Sequence, residues 1–218
     1  VWVIGHRGEL VDVVLNLVPK VTLHDVFIGA RTLDEALTEV SGGFTVLLAG
    51  SGLVEYSRLT PEVRDKLVET IEAVAPRFDH VLLDTGAGIS DVVLYTVSLA
   101  DAVLMVATPE PTSMTDAYAT IKVLASTQRR RTIQLVVNQK IPGSDGRAVR
   151  AQLQQVIDRY VSPGLEAPVT LELVGEVPTD AAVRDAVRLR QLLHECYPGS
   201  AAAQAIAQLA TRIAGAGG

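Results

Sequence analysis

Apolar runs of strand length alternate with segments of helical period along all 218 residues, and this alternation constrains the fold more than anything else in the sequence. Residues 1–4, 44–49, 81–83, 102–107, 132–137 and 171–174 read as strands. They are mostly apolar runs rich in Val, Leu, Ile and Ala, the pattern of strands buried on both faces. Between them, Thr60-Pro61-Glu62 opens a helix running towards Pro76. Thr60 stands as N-cap, Pro61 takes the first helical position, and Val63, Leu67, Ile71 and Val74 form one apolar stripe. A second helix follows Pro111. Ser113, three residues before Asp116, suggests a variant capping box there, and Ala117, Ile121 and Leu124 recur at helical spacing. Ser144-Asp145-Gly146 opens a third helix with Val149, Leu153, Val156 and Ile157, Thr179-Asp180 caps a fourth, and the Ala-rich residues 200–214 form a fifth. Residues 11–17 and 33–40 read as two weaker helices. Strand, helix, strand in repetition implies right-handed crossovers and a doubly wound α/β fold, a mostly parallel sheet with helices on both faces. No linker or repeat divides the chain, so residues 1–218 are expected to form one domain. In such folds ligands sit beyond the carboxyl ends of the strands, so function is sought there.

Composition excludes several classes. A chain 48% hydrophobic and 20% charged is not disordered, and a net charge of −6 makes direct nucleic-acid binding unexpected. The single cysteine, Cys196, excludes a disulfide framework and fits a reducing compartment, so a cytoplasmic location is expected. The longest apolar stretch, residues 92–107, is interrupted by Thr96, Ser98 and Asp101 and falls short of a membrane span. The final helix carries Ile206, Leu209 and Ile213 but only Arg212 as a base, which favours packing over membrane anchoring. Arg129-Arg130-Arg131 reads as a solvated helix end. The four His, at 6, 24, 80 and 194, lack metal-ligand spacing. The chain opens Val1-Trp2-Val3-Ile4, inside a strand, so upstream sequence is expected.

Three strand ends carry chemistry. His80-Val81-Leu82-Leu83-Asp84-Thr85-Gly86-Ala87-Gly88-Ile89-Ser90 sets one carboxylate before a Gly-rich turn, an arrangement suited to hydrated Mg²⁺ beside a phosphate. A strand-to-helix turn in which Asp84 bonds local amides fits it equally. In Thr108-Pro109-Glu110-Pro111-Thr112-Ser113-Met114-Thr115-Asp116, two prolines around one acid fix a rigid loop before a helix. Asn138 ends the fifth strand candidate, where its amide could pair with a purine edge, although Asn is also simply common at strand ends.

Taken in order, these segments resemble the ParA/MinD group of deviant P-loop ATPases, and within it the flagellar-number regulators of the FlhG, FleN and YlxH branch. Asp84-Thr85-Gly86-Ala87-Gly88-Ile89 is similar to that branch's Walker B and switch II segment. Thr108 to Tyr118, with Ile121-Lys122, is similar to its most distinctive signature, and the likeness continues through Asn138, Val174-Gly175-Glu176-Val177-Pro178-Thr179-Asp180, Ala186-Val187-Arg188 and Tyr197-Pro198-Gly199-Ser200. The resemblance implies an ATP-dependent switch that dimerises on nucleotide and engages a protein partner, a flagellar protein or an SRP-type GTPase, peripherally at the cell pole or inner membrane. It assigns Asp84 to Mg²⁺ through water, Gly86, Ala87 and Gly88 to the γ-phosphate, and Asn138, Pro178 and Asp180 to the adenine. Pro109, Glu110, Pro111, Thr112, Ser113 and Asp116 are its partner or switch loop.

Two parts of that family's pattern are missing from these residues. No Lys-Gly-Gly-x-Gly-Lys-Ser/Thr occurs, so ATP, ADP and Mg²⁺ are expected as ligands only if a P-loop lies upstream. The first strand of this fold is central, so about 30 to 100 upstream residues are expected, the length of one or two strand-helix units. Where the family carries a water-positioning Asp after its second strand, this chain reads Gly5-His6-Arg7-Gly8-Glu9. A cationic side chain does not orient a nucleophilic water as a carboxylate does, so impaired hydrolysis is expected, with a nucleotide-free scaffold as the alternative.

Overall fold

Seven strands and nine α-helices alternate among the described residues, 2–5, 16–18, 20–49 and 59–215 of a computed structural model. They group into two units. The first is drawn from Val1–Gly86, Ser90–Leu99 and Ala186–Cys196, the second from Ala87–Ile89, Ala100–Asp185 and Tyr197–Gly218.

In the first unit, β1 (Trp2–Gly5), β2 (Leu37–Val40), β3 (Phe44–Leu48) and β4 (Val81–Asp84) form a sheet of order β2-β3-β1-β4. β1 runs parallel to both neighbours, and Gly5 aligns with Leu48 and Asp84, so three carboxyl ends finish level. β2 is antiparallel to β3. The turn between them uses Gly42 and Gly43 at φ +86° and +76°, and a Cβ at Gly42 would meet Leu192 and His194 within 3.3 Å. α1 (Leu23–Phe27), α2 (Leu33–Ala36) and α3 (Pro61–Val74) supply the core: Leu23, Phe27, Ala36 and Val74 bury with Leu47, and Val63, Leu67 and Ile71 pack against them. α3 begins as expected, with Thr60 Oγ1 accepting from Val63 N and Pro61 at the first position.

The helix expected over 33–40 is half strand. Thr32 and Glu35 form a capping box, but the helix stops at Ala36 and Leu37–Val40 pairs with β3. Pairing with β3 across the Gly42-Gly43 turn outweighs helical periodicity over so short a run. Of the helix expected over 11–17, residues 11–15 lie outside the described residues. α4 (Asp91–Ser98), capped by Ser90, lies inside the apolar stretch read from sequence only for its interruptions.

In the second unit, β5 (Leu104–Ala107), β6 (Thr132–Lys140) and β7 (Thr170–Pro178) form an all-parallel sheet of order β5-β6-β7. α5 (Pro111–Thr127) and α6 (Gly146–Tyr160) bring Ile121, Leu124, Leu153 and Ile157 into a core with Ile133, Leu135 and Val137 of β6 and Leu171 of β7. These helical residues are among those expected from periodicity. Residues 181–185 of α7 (Ala181–Leu189) and all of α9 (Ala201–Gly215) belong to this unit, while the rest of α7 and α8 (Leu193–Cys196) belong to the first. α9 packs so closely on β7 that a Cβ at Gly175 would lie 3.0 Å from Leu209 Cδ1.

Among the described residues β7 is an edge strand, and side chains occupy its outer hydrogen-bonding groups. Gln154 Nε2 donates to Val169 O at 2.7 Å and its Oε1 accepts from Leu171 N at 2.8 Å, as a neighbouring strand would. Arg150 Nε donates to Leu171 O and Arg212 to Val174 O. Such capping blunts an edge against foreign strands.

Two local expectations are corrected. Ser113 is not a helix cap: its Oγ accepts from Thr108 N at 2.9 Å, because Pro111 already starts the helix with Glu110 at the N-cap position. The Arg129-Arg130-Arg131 end is largely occupied rather than solvated. Arg130 donates to the carbonyls of Ala100 and Asp101, and Arg131 to Ala125 O at 2.8 Å. No helix of the described residues is long and apolar enough to cross a membrane.

Candidate functional site

Asp84 closes β4 level with the ends of β1 and β3, with its side chain exposed, and Thr85 and Gly86 follow it. Gly88 adopts φ +105° with open space where a Cβ would stand, a conformation side chains rarely take. One exposed carboxylate at a strand end is a hard oxygen donor, and it suits an ion such as Mg²⁺ that keeps most of its waters.

In the second unit the strand ends of β6 and β7 interlock. Lys140 stands opposite Pro178, and Lys140 O accepts from Thr179 N at 2.9 Å. Lys140 Nζ also pairs with Glu176 Oε2 at 2.7 Å, both side chains being half-buried. Asn138 and Pro178 are thus brought to one edge of the sheet. Gln139 between them sits at φ +54°, rare for a residue with a side chain, and its N–H donates to Asn138 Oδ1 at 2.8 Å. Asp180 accepts from Ala182 N at 2.9 Å and from Ala202 N at 3.1 Å, so one carboxylate joins the starts of α7 and α9. Those backbone donors hold its carboxyl below the ordinary value.

Local hydrogen bonds tie the Pro109 to Asp116 segment to its own backbone. Thr108 N is tied to Ser113 Oγ, Glu110 N to Thr108 Oγ1, and Thr115 Oγ1 donates to Pro111 O, while Glu110, Pro111, Thr112 and Asp116 remain exposed. That is a fixed, solvent-facing surface.

Asp84 and Gly86 belong to the first unit, whereas Ala87, Gly88, Asn138, Pro178 and Asp180 belong to the second. Of the Gly5-His6-Arg7-Gly8-Glu9 segment, His6 to Glu9 lie outside the described residues. The sequence gives Lys140 no role, Gly146 only a place at a helix start and Glu176 only a place within the Val174 to Asp180 likeness. The signal available was a Lys and a Glu close to the ends of two successive apolar strands, and it becomes a pair only when the register is known. A cavity of about 290 Å³ opens beside Glu176, between β7 and α9.

No family model matches the chain. It is 35% identical over 203 residues to the antiactivator FleN of Pseudomonas aeruginosa, covering 93% of this chain and 70% of that protein. To the flagellum site-determining protein YlxH of Helicobacter pylori it is 27% identical over 201 residues, covering 91% and 65%. Among solved structures, the cell division ATPase MinD of Pyrococcus furiosus superposes with a TM-score of 0.72 over 97% of this chain and 84% of that one, at 22% identity.

Proposed function

Because this chain belongs to the FleN and YlxH branch of the MinD/ParA family, we propose that it is an ATP-dependent molecular switch that regulates flagellar number or placement. The observation that carries the reading is the interlocked pair of strand ends, Asn138–Lys140 against Pro178–Asp180, set at the carboxyl edge where an α/β sheet takes its ligand. In this reading Asn138, Pro178 and Asp180 receive the adenine. Asp84 holds Mg²⁺ through water, and Gly86, Ala87 and Gly88 respond to the γ-phosphate. Mg²⁺ would there neutralise phosphate charge, while the left-handed Gly88 lets the backbone approach.

The β-phosphate needs a cradle that these 218 residues do not contain, and we place it upstream of Val1 as part of one MinD/ParA-like domain. Two edges support that placement. β4 ends its sheet with Leu82 44% exposed, and β5 ends the other with Leu104 and Val106 39% and 55% exposed. Parallel strands ordinarily bury such residues, so each edge suits a further strand. Hydrolysis is slow in this reading, because Gly5-His6-Arg7-Gly8 offers no carboxylate for the attacking water. The ATP-bound form is a homodimer acting in the cytoplasm, peripherally at the pole or inner membrane. Its Pro109 to Asp116 surface meets a protein partner, a flagellar protein or an SRP-type GTPase.

Thermal unfolding with Mg·ATP tests this. Ligand at 100 times its dissociation constant stabilises by about 2.7 kcal/mol, a rise of several degrees. A melting curve unmoved by millimolar Mg·ATP in the full-length natural protein would instead favour a scaffold that binds its partner without nucleotide.

A further inference from the structure

The Asn138–Lys140 turn does more than place a side chain near a ligand. An Asn amide presents a donor and an acceptor, and a free one can turn over to exchange them. Here it cannot turn over without loss, because the Gln139 N–H points at the amide and only oxygen can meet it, at 2.8 Å. Nδ2 is left to donate, and Oδ1 keeps one lone pair. At its C6 substituent and N1, adenine shows a donor and an acceptor, and guanine shows them reversed. A locked amide placed to satisfy one therefore opposes the other, and an unlocked one accommodates both.

The lock depends on Gln139 holding φ +54°, a conformation that a residue with a side chain keeps only when its surroundings enforce it. The enforcing contacts fall on the next residue. Lys140 O accepts from Thr179 N at 2.9 Å, and Lys140 Nζ donates to Glu176 Oε2 at 2.7 Å. Glu176 stands where it does because residue 146 is glycine: an ideal Cβ there would lie 2.7 to 2.8 Å from Glu176 Cδ, Cγ and Oε1. A methyl group at 146 must shift the Glu176 side chain that carries the Lys140 pair.

We propose that Gly146, Glu176 and Lys140 are positioning residues that lock the Asn138 amide in one orientation and so set preference for adenine over guanine nucleotides. The inference rests on the reading of Asn138 as a base contact. A well-made bidentate contact discriminates between bases by roughly tenfold or more. That selectivity, rather than affinity alone, is what these residues control.

The test compares ATP and GTP affinities, by fluorescent-analogue titration, in the full-length natural protein and in Asn138→Ala, Gly146→Ala, Glu176→Gln and Gly164→Ala. The last is a control, since a Cβ at Gly164 meets nothing within 4 Å. The expected result is a fall of about fivefold or more in the ATP-to-GTP ratio for Gly146→Ala and Glu176→Gln, with Gly164→Ala unchanged. Loss of both affinities in parallel, which a merely structural role predicts, overturns the inference. An Asn138→Ala variant that binds ATP as the natural protein does removes the base reading and the inference together. A ratio that falls in Asn138→Ala alone removes only the lock. Hydrogen exchange without nucleotide gives an independent reading: the Gln139 amide exchanges faster in Glu176→Gln, and an unchanged rate contradicts the lock whatever the nucleotide data show.

Discussion

Replacing Gln154 by Ala removes the side chain that stands in for a missing neighbour of β7. Its amide meets one carbonyl and one N–H of residues that are each 1% exposed, Val169 O at 2.7 Å and Leu171 N at 2.8 Å. Water reaches such groups poorly, so each is left closer to unsatisfied than to solvated, a loss of about 1 to 3 kcal/mol apiece. Partial water entry and relaxation bring the expected total to about 2 to 4 kcal/mol. Gln155→Ala, one residue along and exposed, is the comparison and is expected to stay within about 0.5 kcal/mol. Gln154→Glu should be no better than Ala. Its carboxylate can accept from Leu171 N but sets oxygen against Val169 O. Urea unfolding gives the free energies, and amide exchange at Leu171 reports the site directly. A Gln154→Ala loss below about 0.5 kcal/mol with unchanged exchange at Leu171 would refute the argument that side chains complete this edge.

Acid should weaken the second unit through Asp180. Its folded pKa lies below the ordinary 3.8 because backbone N–H groups of Ala182 and Ala202 favour the charged form. The stability it adds is therefore present above that value and is lost as pH falls through the lower folded value. The difference in melting temperature between the natural protein and Asp180→Ala should be constant at neutral pH and shrink below about pH 4, and a difference that grows towards acid would contradict the assignment. Asp84→Asn should reduce the Mg²⁺-dependent part of any ATP stabilisation; an undiminished Mg²⁺ effect would move the ion elsewhere.

What could be read from the residues alone followed locality. α3 and α6 were legible because Thr60-Pro61 and Asp145 announce their starts and apolar stripes mark their buried faces. β2 was not, since the helical spacing of residues 33–40 masked a hairpin whose local sign was Gly42-Gly43 before the apolar run of β3. Ser113 was misread because two candidate starts compete in six residues and Pro111 wins. At the candidate site, Asp84, Asn138 and Pro178 stood out by ending apolar runs. The Lys140–Glu176 pair did not. Lys140 stands opposite Pro178, two residues from Glu176, and that cross-strand register leaves no mark in composition or periodicity.

A switch differs from a binding protein in that its two nucleotide states associate differently. Sedimentation velocity of the full-length natural protein with Mg·ATP and with Mg·ADP measures that difference directly. The account predicts a dimer with Mg·ATP and a monomer with Mg·ADP; the same species in both would contradict it, even if both nucleotides bind.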